Sequence, residues 1–193
     1  VAVPGHGVYP LRKCTATLTG PGKTYGMHGD RIGYVWADAE TIGIAARVQV
    51  NTNSFASTYG QVATSLAVQP ALDEVMASRG QSARSNLDIV ARRLANVGGL
   101  HFAYPDGGYF LFVDFSHYAP LYEKPGIENA EQFLLHEARV AAISGTHFGP
   151  EMDEIKHFVR LNCGRSIDLL NEACVRIEKA LAALSVPQEV VSA

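Results

Sequence analysis

The chain has 193 residues, 47% of them hydrophobic and 18% charged, enough apolar material for one full core or about one and a half small ones. A formal net charge of -3, with no cluster of Lys and Arg, excludes binding by counterion release, so neither nucleic acid nor an anionic membrane is an expected partner. No apolar run approaches the ~20 residues of a membrane helix, and the first residues lack the basic-then-apolar order of a secretory signal, so a cytoplasmic location is expected.

In chain order, Cys14 to Leu18 is predicted as a short strand running into the turn-rich segment Thr19-Gly-Pro-Gly-Lys23, and strand and glycine loop together suggest a site wall. Ile32 to Ala37 is a second strand, and Asp38 is placed to cap a helix over Ala39 to Val48. Tyr59, Val62, Ala63 and Leu66 have helical spacing within Ser57 to Val68. Beyond Pro70 the pattern continues through Leu72, Val75 and Met76, then Leu87, Val90, Ala91 and Leu94, to about Val97, with an interruption expected near Gly80. Tyr109 to Phe115 reads as a strand, Ala130 to Val140 as a helix, Ala141 to Ser144 and His157 to Leu161 as strands, and Ile167 to Leu184 as a closing amphipathic helix. This order predicts a small α+β domain after a long helix. Val186 to Ala193 contain Pro187 and lose periodicity, so that tail is expected to fray. The three cysteines, Cys14, Cys163 and Cys174, form no C-x-x-C pair; reduced, mostly buried thiols are expected, with no disulfide framework and no metal site.

The segment with most chemistry surrounds Lys23. Gly20-Pro-Gly-Lys23-Thr24 after a strand has the look of the end of a phosphate-binding loop, in which glycines let backbone N–H groups approach phosphate. The full pattern needs Gly six residues before the Lys, where Thr17 stands, and a helix starting at Lys-Thr, yet Gly26 and Gly29 follow closely. A different pattern fits better. Lys23 is followed eight residues later by Arg31, within Lys-Thr-Tyr-Gly-Met-His-Gly-Asp-Arg-Ile-Gly-Tyr34, and this resembles the Schiff-base signature of class I/II aminotransferases: S-x-S-K, an aromatic and glycine loop, then G-x-R-x-G-Y. The resemblance implies pyridoxal 5'-phosphate as cofactor, Lys23 as the amine that bonds it and Arg31 as the ligand of its phosphate. The chemistry suits the residue types, because a lysine near a cation and removed from water loses its proton more readily and an arginine fork stays charged and donates bidentately. Gly20 and Gly22 stand where the family has its two serines, so the cofactor-binding hydroxyl is missing unless Thr19 or Thr24 replaces it.

Three further segments follow in the family's order. Pro105-Asp-Gly-Gly108-Tyr-Phe resembles its P-x-G-G-x-F strand, and Ile143-Ser-Gly-Thr-His-Phe-Gly149 its G-x-x-F-G loop. Phe158-Val-Arg160-Leu-Asn162 resembles the closing strand whose arginine grips the substrate carboxylate, which implies substrate binding by Arg160; no acid adjacent in sequence would neutralise it. Ser54, Ser57 and Thr58 match a region that in family dimers reaches the partner's cofactor phosphate, although Ser57 is equally suited to cap a helix. Tyr25 and His28 flank the lysine loop and are candidates for contributing to the site.

The fold implied is α/β, the C-terminal portion of the fold type I pyridoxal-phosphate transferase fold: residues 1–75 as a remnant of the large cofactor-binding domain, 76–98 as a linking long helix, and 99–193 as the small α+β domain. The implied activity is amino-group transfer between an amino acid and a 2-oxo acid. The wording around Arg160 also resembles the carbon-sulfur lyases related to cystathionine β-lyase, and a non-catalytic fragment or partner subunit is the third reading. The family's ring-pairing aspartate, with a tyrosine three residues later, has no match; His6 and Tyr9 have the spacing, but Tyr9 lies only 14 residues before Lys23. The chain is therefore expected to be a fragment, or a subunit completing its site as a homodimer or with a complementing chain.

Overall fold

The computed structural model describes residues 15–149 and 153–184; Cys14, His6, Tyr9 and the tail Val186 to Ala193 lie outside them. The chain divides into two units, Val1–Ser78 and Arg79–Ala193.

In the first unit, strand β1 (Thr17–Thr19) pairs antiparallel with β2 (Tyr34–Trp36), Leu18 opposite Val35. Both strands are shorter than their apolar runs. β1 ends because Gly20 leads into the single turn α1 (Pro21–Thr24), where Pro21 needs no hydrogen-bonded N–H. β2 starts late because Arg31 is left-handed, and ends before Asp38, which caps α2 (Ala39–Thr52) by accepting from the amides of Glu40 and Thr41. α2 outlasts its predicted end at Val48 by one turn. Asn51 and Thr52 fold their side chains back onto the carbonyls of Arg47 and Val48, and nothing in Gln49 to Thr52 breaks a helix.

Helix α3 (Thr58–Ala67) and the long α4 (Asp73–Ala95) are separated by a 3-10 turn, Pro70–Leu72. The interruption therefore falls at Pro70, and α4 runs unbroken through Gly80. A proline removes a helical hydrogen bond and clashes with the preceding turn, at about 3 kcal/mol, whereas a helical glycine costs ~1 kcal/mol. Little of the first unit is enclosed: among its described residues Pro21, Gly60 and Ala67 are buried, while Leu18 is 77%, Trp36 69%, Phe55 84% and Tyr59 89% exposed.

The second unit has a true core. Strands β3 (Phe110–Asp114), β4 (Ile143–Ser144) and β5 (Phe158–Asn162) form an antiparallel sheet in the order β3-β5-β4. Strand alternation sends Leu111, Val113, Val159 and Leu161 inward, where they meet Leu87, Val90, Ala91 and Leu94 of α4. Alongside α4 runs α7 (Ile167–Leu184), whose Leu170, Cys174, Ile177 and Leu181 make one helical stripe in the same core. Each fully buried Leu, Ile or Phe contributes about 1.5–3 kcal/mol. Two polar clasps fix the helices: Asn86 Nδ2 donates to the Arg165 carbonyl at 2.9 Å, and Arg93 grips Glu178 with Nε and Nη2 at 2.9 and 2.6 Å.

Between β3 and β4, α5 (Ala119–Tyr122) and α6 (Ala130–Phe133) add Tyr122 and Phe133, which stack at 4.8 Å. The helix predicted to Val140 is α6 continued by a π turn, Leu134–Ala138, and Arg139, left-handed at φ 54°, ends it. The following strand keeps only Ile143 and Ser144, because Ser144 turns to cap the 3-10 segment Gly145–Phe148. Cys163 and Cys174 are buried free thiols, and burial pushes the Cys163 thiol up to about 11.

Candidate functional site

Lys23 and Arg31 stand at the two ends of one loop. Lys23 is in the last turn of α1, and the Tyr25 amide closes that turn on the Pro21 carbonyl at 2.9 Å. The chain then reverses through Gly26, at φ 70°, and reaches Arg31, itself left-handed at φ 53°. A non-glycine residue in that region costs roughly 1–2 kcal/mol, and the strain at Arg31 is held by its own Nη1, which donates to the His28 carbonyl at 3.0 Å.

The feet of the loop touch. A Cβ at Gly20 would lie 2.7 Å from the Ile32 carbonyl oxygen and 3.3 Å from Gly33 Cα, so only glycine lets the start of α1 lie against the segment that follows Arg31. Gly22 is different: its nearest neighbours, Met27 and His28, are at 3.9 Å, and a serine fits there. The helix ends at Thr24 instead of beginning at Lys23, which removes the nucleotide-loop reading.

Helix α3 packs against the same loop. A Cβ at Gly60 would meet Ile32 Cγ1 at 2.6 Å and the Asp30 carbonyl at 3.0 Å, so the N-terminus of α3 adjoins the Arg31 segment. Ser57 is the N-cap, its Oγ accepting from the Gly60 amide at 3.2 Å; the hydroxyl retains its own proton to donate. Lys23, Arg31 and Ser57 are all exposed in this chain. The segments that carry a primary amine, a guanidinium and a hydroxyl thus adjoin one another around one glycine-tight loop.

Arg160 lies in the second unit, on the outer face of β5, opposite Phe112 of β3 and Ile143 of β4. Its Cζ is 4.2 Å from the Phe110 ring centroid and 4.6 Å from that of Phe148. Among the described residues no carboxylate pairs with it. Both rings lie in segments the sequence analysis singled out, but their contact with Arg160 was not foreseen. Alternation along β3 and β5 carries Phe110 and Phe112 to the face of Arg160 and could have found them, but Phe148 arrives from a loop and leaves no such periodic trace.

Among the described residues, no group of three or more His, Cys, Asp or Glu could hold a metal ion, and no helix is long and apolar enough to cross a membrane. The aminotransferase class I and II family profile matches residues 6–177. The chain is 30% identical over 177 residues to an aspartate aminotransferase of Pinus pinaster, covering 88% of this chain and 35% of the relative. It is 31% identical to an asparagine--oxo-acid transaminase of Streptococcus mutans, covering 88% of this chain and 42% of the relative. A pyridoxal-phosphate-bound aminotransferase structure from Clostridium difficile superposes with a TM-score of 0.73 at 26% identity, covering 88% of this chain and 42% of that one. The chain thus spans less than half the length of the relatives it matches, and the fold is part of the fold type I transferase fold. Family profile, relatives and superposition agree, and the chain belongs to the aminotransferase class I and II family.

Proposed function

We propose that this chain supplies the lysine-bearing and carboxylate-binding part of a pyridoxal-phosphate-dependent aminotransferase, which moves an amino group between an amino acid and a 2-oxo acid. The observation that carries the reading is the loop whose feet touch at Gly20 and Ile32, with Lys23 near its start and the left-handed Arg31 at its end, in a chain of this family.

The residues fit the cofactor. Lys23 Nζ is the amine that would bond its aldehyde. Arg31 and Ser57 would hold the phosphate, with backbone at Gly20 and Gly22 close by; the cofactor, when bound, supplies the electron sink that acidifies the substrate's Cα–H. Lys23 would take and return that proton, and Arg160 would hold the substrate's carboxylate, the role its resemblance implies. Arg31 already spends one N–H on the His28 carbonyl, which fixes its position and leaves the rest of the fork for an anion.

The exposed apolar residues of the first unit support a second part of the reading: the remainder of the fold, upstream in the same polypeptide or on another chain, covers Leu18, Trp36, Phe55 and Tyr59, with assembly as a dimer. The free buried thiols support a reducing compartment such as the cytoplasm, in amino acid metabolism.

The test is an assay of the complete protein with an amino donor and a 2-oxo acid. Amino transfer that requires the acceptor supports the proposal. Pyruvate and ammonia released from cysteine conjugates without acceptor would mark a carbon-sulfur lyase instead, and no turnover in cofactor-loaded protein would mark a non-catalytic member. Arg160→Ala removes a charge-assisted contact and is expected to raise KM for the amino acid by about 30-fold or more, at about 2–3 kcal/mol; an unchanged KM would remove Arg160 from the site.

A further inference from the structure

We propose that Phe110 and Phe148 are positioning residues that clamp the Arg160 guanidinium between their rings and set it, ready and planar, for a carboxylate; the inference rests on the reading of Arg160 as the carboxylate grip. The two ring centroids lie 4.2 and 4.6 Å from Cζ, one ring fixed in strand β3 and the other in the 3-10 segment before Gly149. A guanidinium is weakly hydrated above and below its plane, so aromatic faces cover it there at little desolvation cost and leave the N–H edge open. An acid in the same place would occupy the N–H edge and cancel the charge. Holding an arginine by its faces keeps both its charge and its fork for the ligand, and among the described residues this is how Arg160 is held.

The clamp is itself braced. Phe148 makes an edge contact with Phe112 at 6.1 Å and 88°, and Phe112 stacks on Phe158 at 5.4 Å. The segment bearing Phe148 is pinned at its start, where a Cβ on Gly145 would lie 2.5 Å from the Ile155 carbonyl and 3.0 Å from Phe158 Cβ. Neither ring touches the reacting atoms; both act through Arg160, by removing rotamers that a bound carboxylate would otherwise have to freeze out.

Steady-state kinetics on the cofactor-loaded complete protein test the clamp. Phe148→Leu and Phe110→Leu keep apolar bulk and lose the π face. Each is expected to raise KM for the amino donor by about 3- to 10-fold with kcat at saturation nearly unchanged, and Phe148→Tyr to restore the wild-type KM. A purely structural role would lower melting temperature without that split and without rescue. If Arg160→Ala raises KM while both leucine variants keep the wild-type value, the clamp is wrong and the carboxylate reading survives; if Arg160→Ala changes nothing, the carboxylate reading itself falls. Should the leucine variants fail to fold, the wild-type protein labelled with 15N-arginine decides. The Nε–H signal that disappears in Arg160→Lys should be ring-shifted and should move on titration with glutarate, and a signal at the position of an exposed arginine would overturn the clamp.

Discussion

Gly20 and Gly22 stand where the signature that the lysine loop resembles has serines, and their surroundings separate them. Gly20→Ser drives a Cβ to 2.7 Å from a backbone oxygen that has no flexible end to move aside, so a loss of roughly 1–3 kcal/mol is expected, read as a lower melting temperature. Gly22→Ser finds room at 3.9 Å and is expected to leave melting within about 0.5 kcal/mol of wild type while offering a hydroxyl to the phosphate; tighter cofactor binding in a spectral titration would bear this out. Lys23 and Arg31 were singled out by the resemblance of their loop to the family's signature, and the structure sets them at the two ends of that loop. The Gly20 contact was not legible, since it joins residues across a chain reversal. Cys163 gives a pH test. Its native thiol is held up to about 11 from an ordinary 9.0, so the unfolded thiol ionises first as pH rises; this contribution to stability is present below about 9 and is lost through about 11. Denaturation midpoints should fall across that interval, and Cys163→Ala should reduce the fall.

At the level of elements, periodicity placed the helices and strands well where a face is buried and less well where chain geometry decides. α7 keeps its expected limits, Ile167–Leu184, because one apolar stripe runs its whole length. The misjudged helix break has a local cause: Pro70 lacks an N–H and Gly80 does not. β2 lost residues to a left-handed arginine that no pattern announces. The joint between α4 and α7 is held by Arg93 and Glu178, in a two-point geometry with 28% and 33% of the side chains exposed, and Arg93 Nη1 also reaches the Asn171 carbonyl at 3.3 Å. A double-mutant cycle on Arg93→Ala and Glu178→Ala is expected to give a coupling energy of about 1 kcal/mol, above that of a simple exposed pair because the contact is bidentate and half sheltered. Coupling near zero would show that solvent screens the pair.

Across the whole molecule the two units differ in kind. The second encloses its apolar residues between sheet and helices, and the first presents Leu18, Trp36, Phe55 and Tyr59 to solvent. Amide exchange on this chain should accordingly be at least 100-fold slower in β3, β5 and α7 than in β1 and β2, and β1 and β2 should gain protection when the rest of the fold is supplied. The central claim, that Lys23 is the cofactor lysine, has a direct chemical test. The complete protein is loaded with pyridoxal phosphate, reduced with borohydride, digested and mapped by mass spectrometry. A stoichiometric pyridoxyl adduct on Lys23, absent in Lys23→Ala, is the predicted result; an adduct on another lysine, or none in protein that has taken up the cofactor, would contradict it.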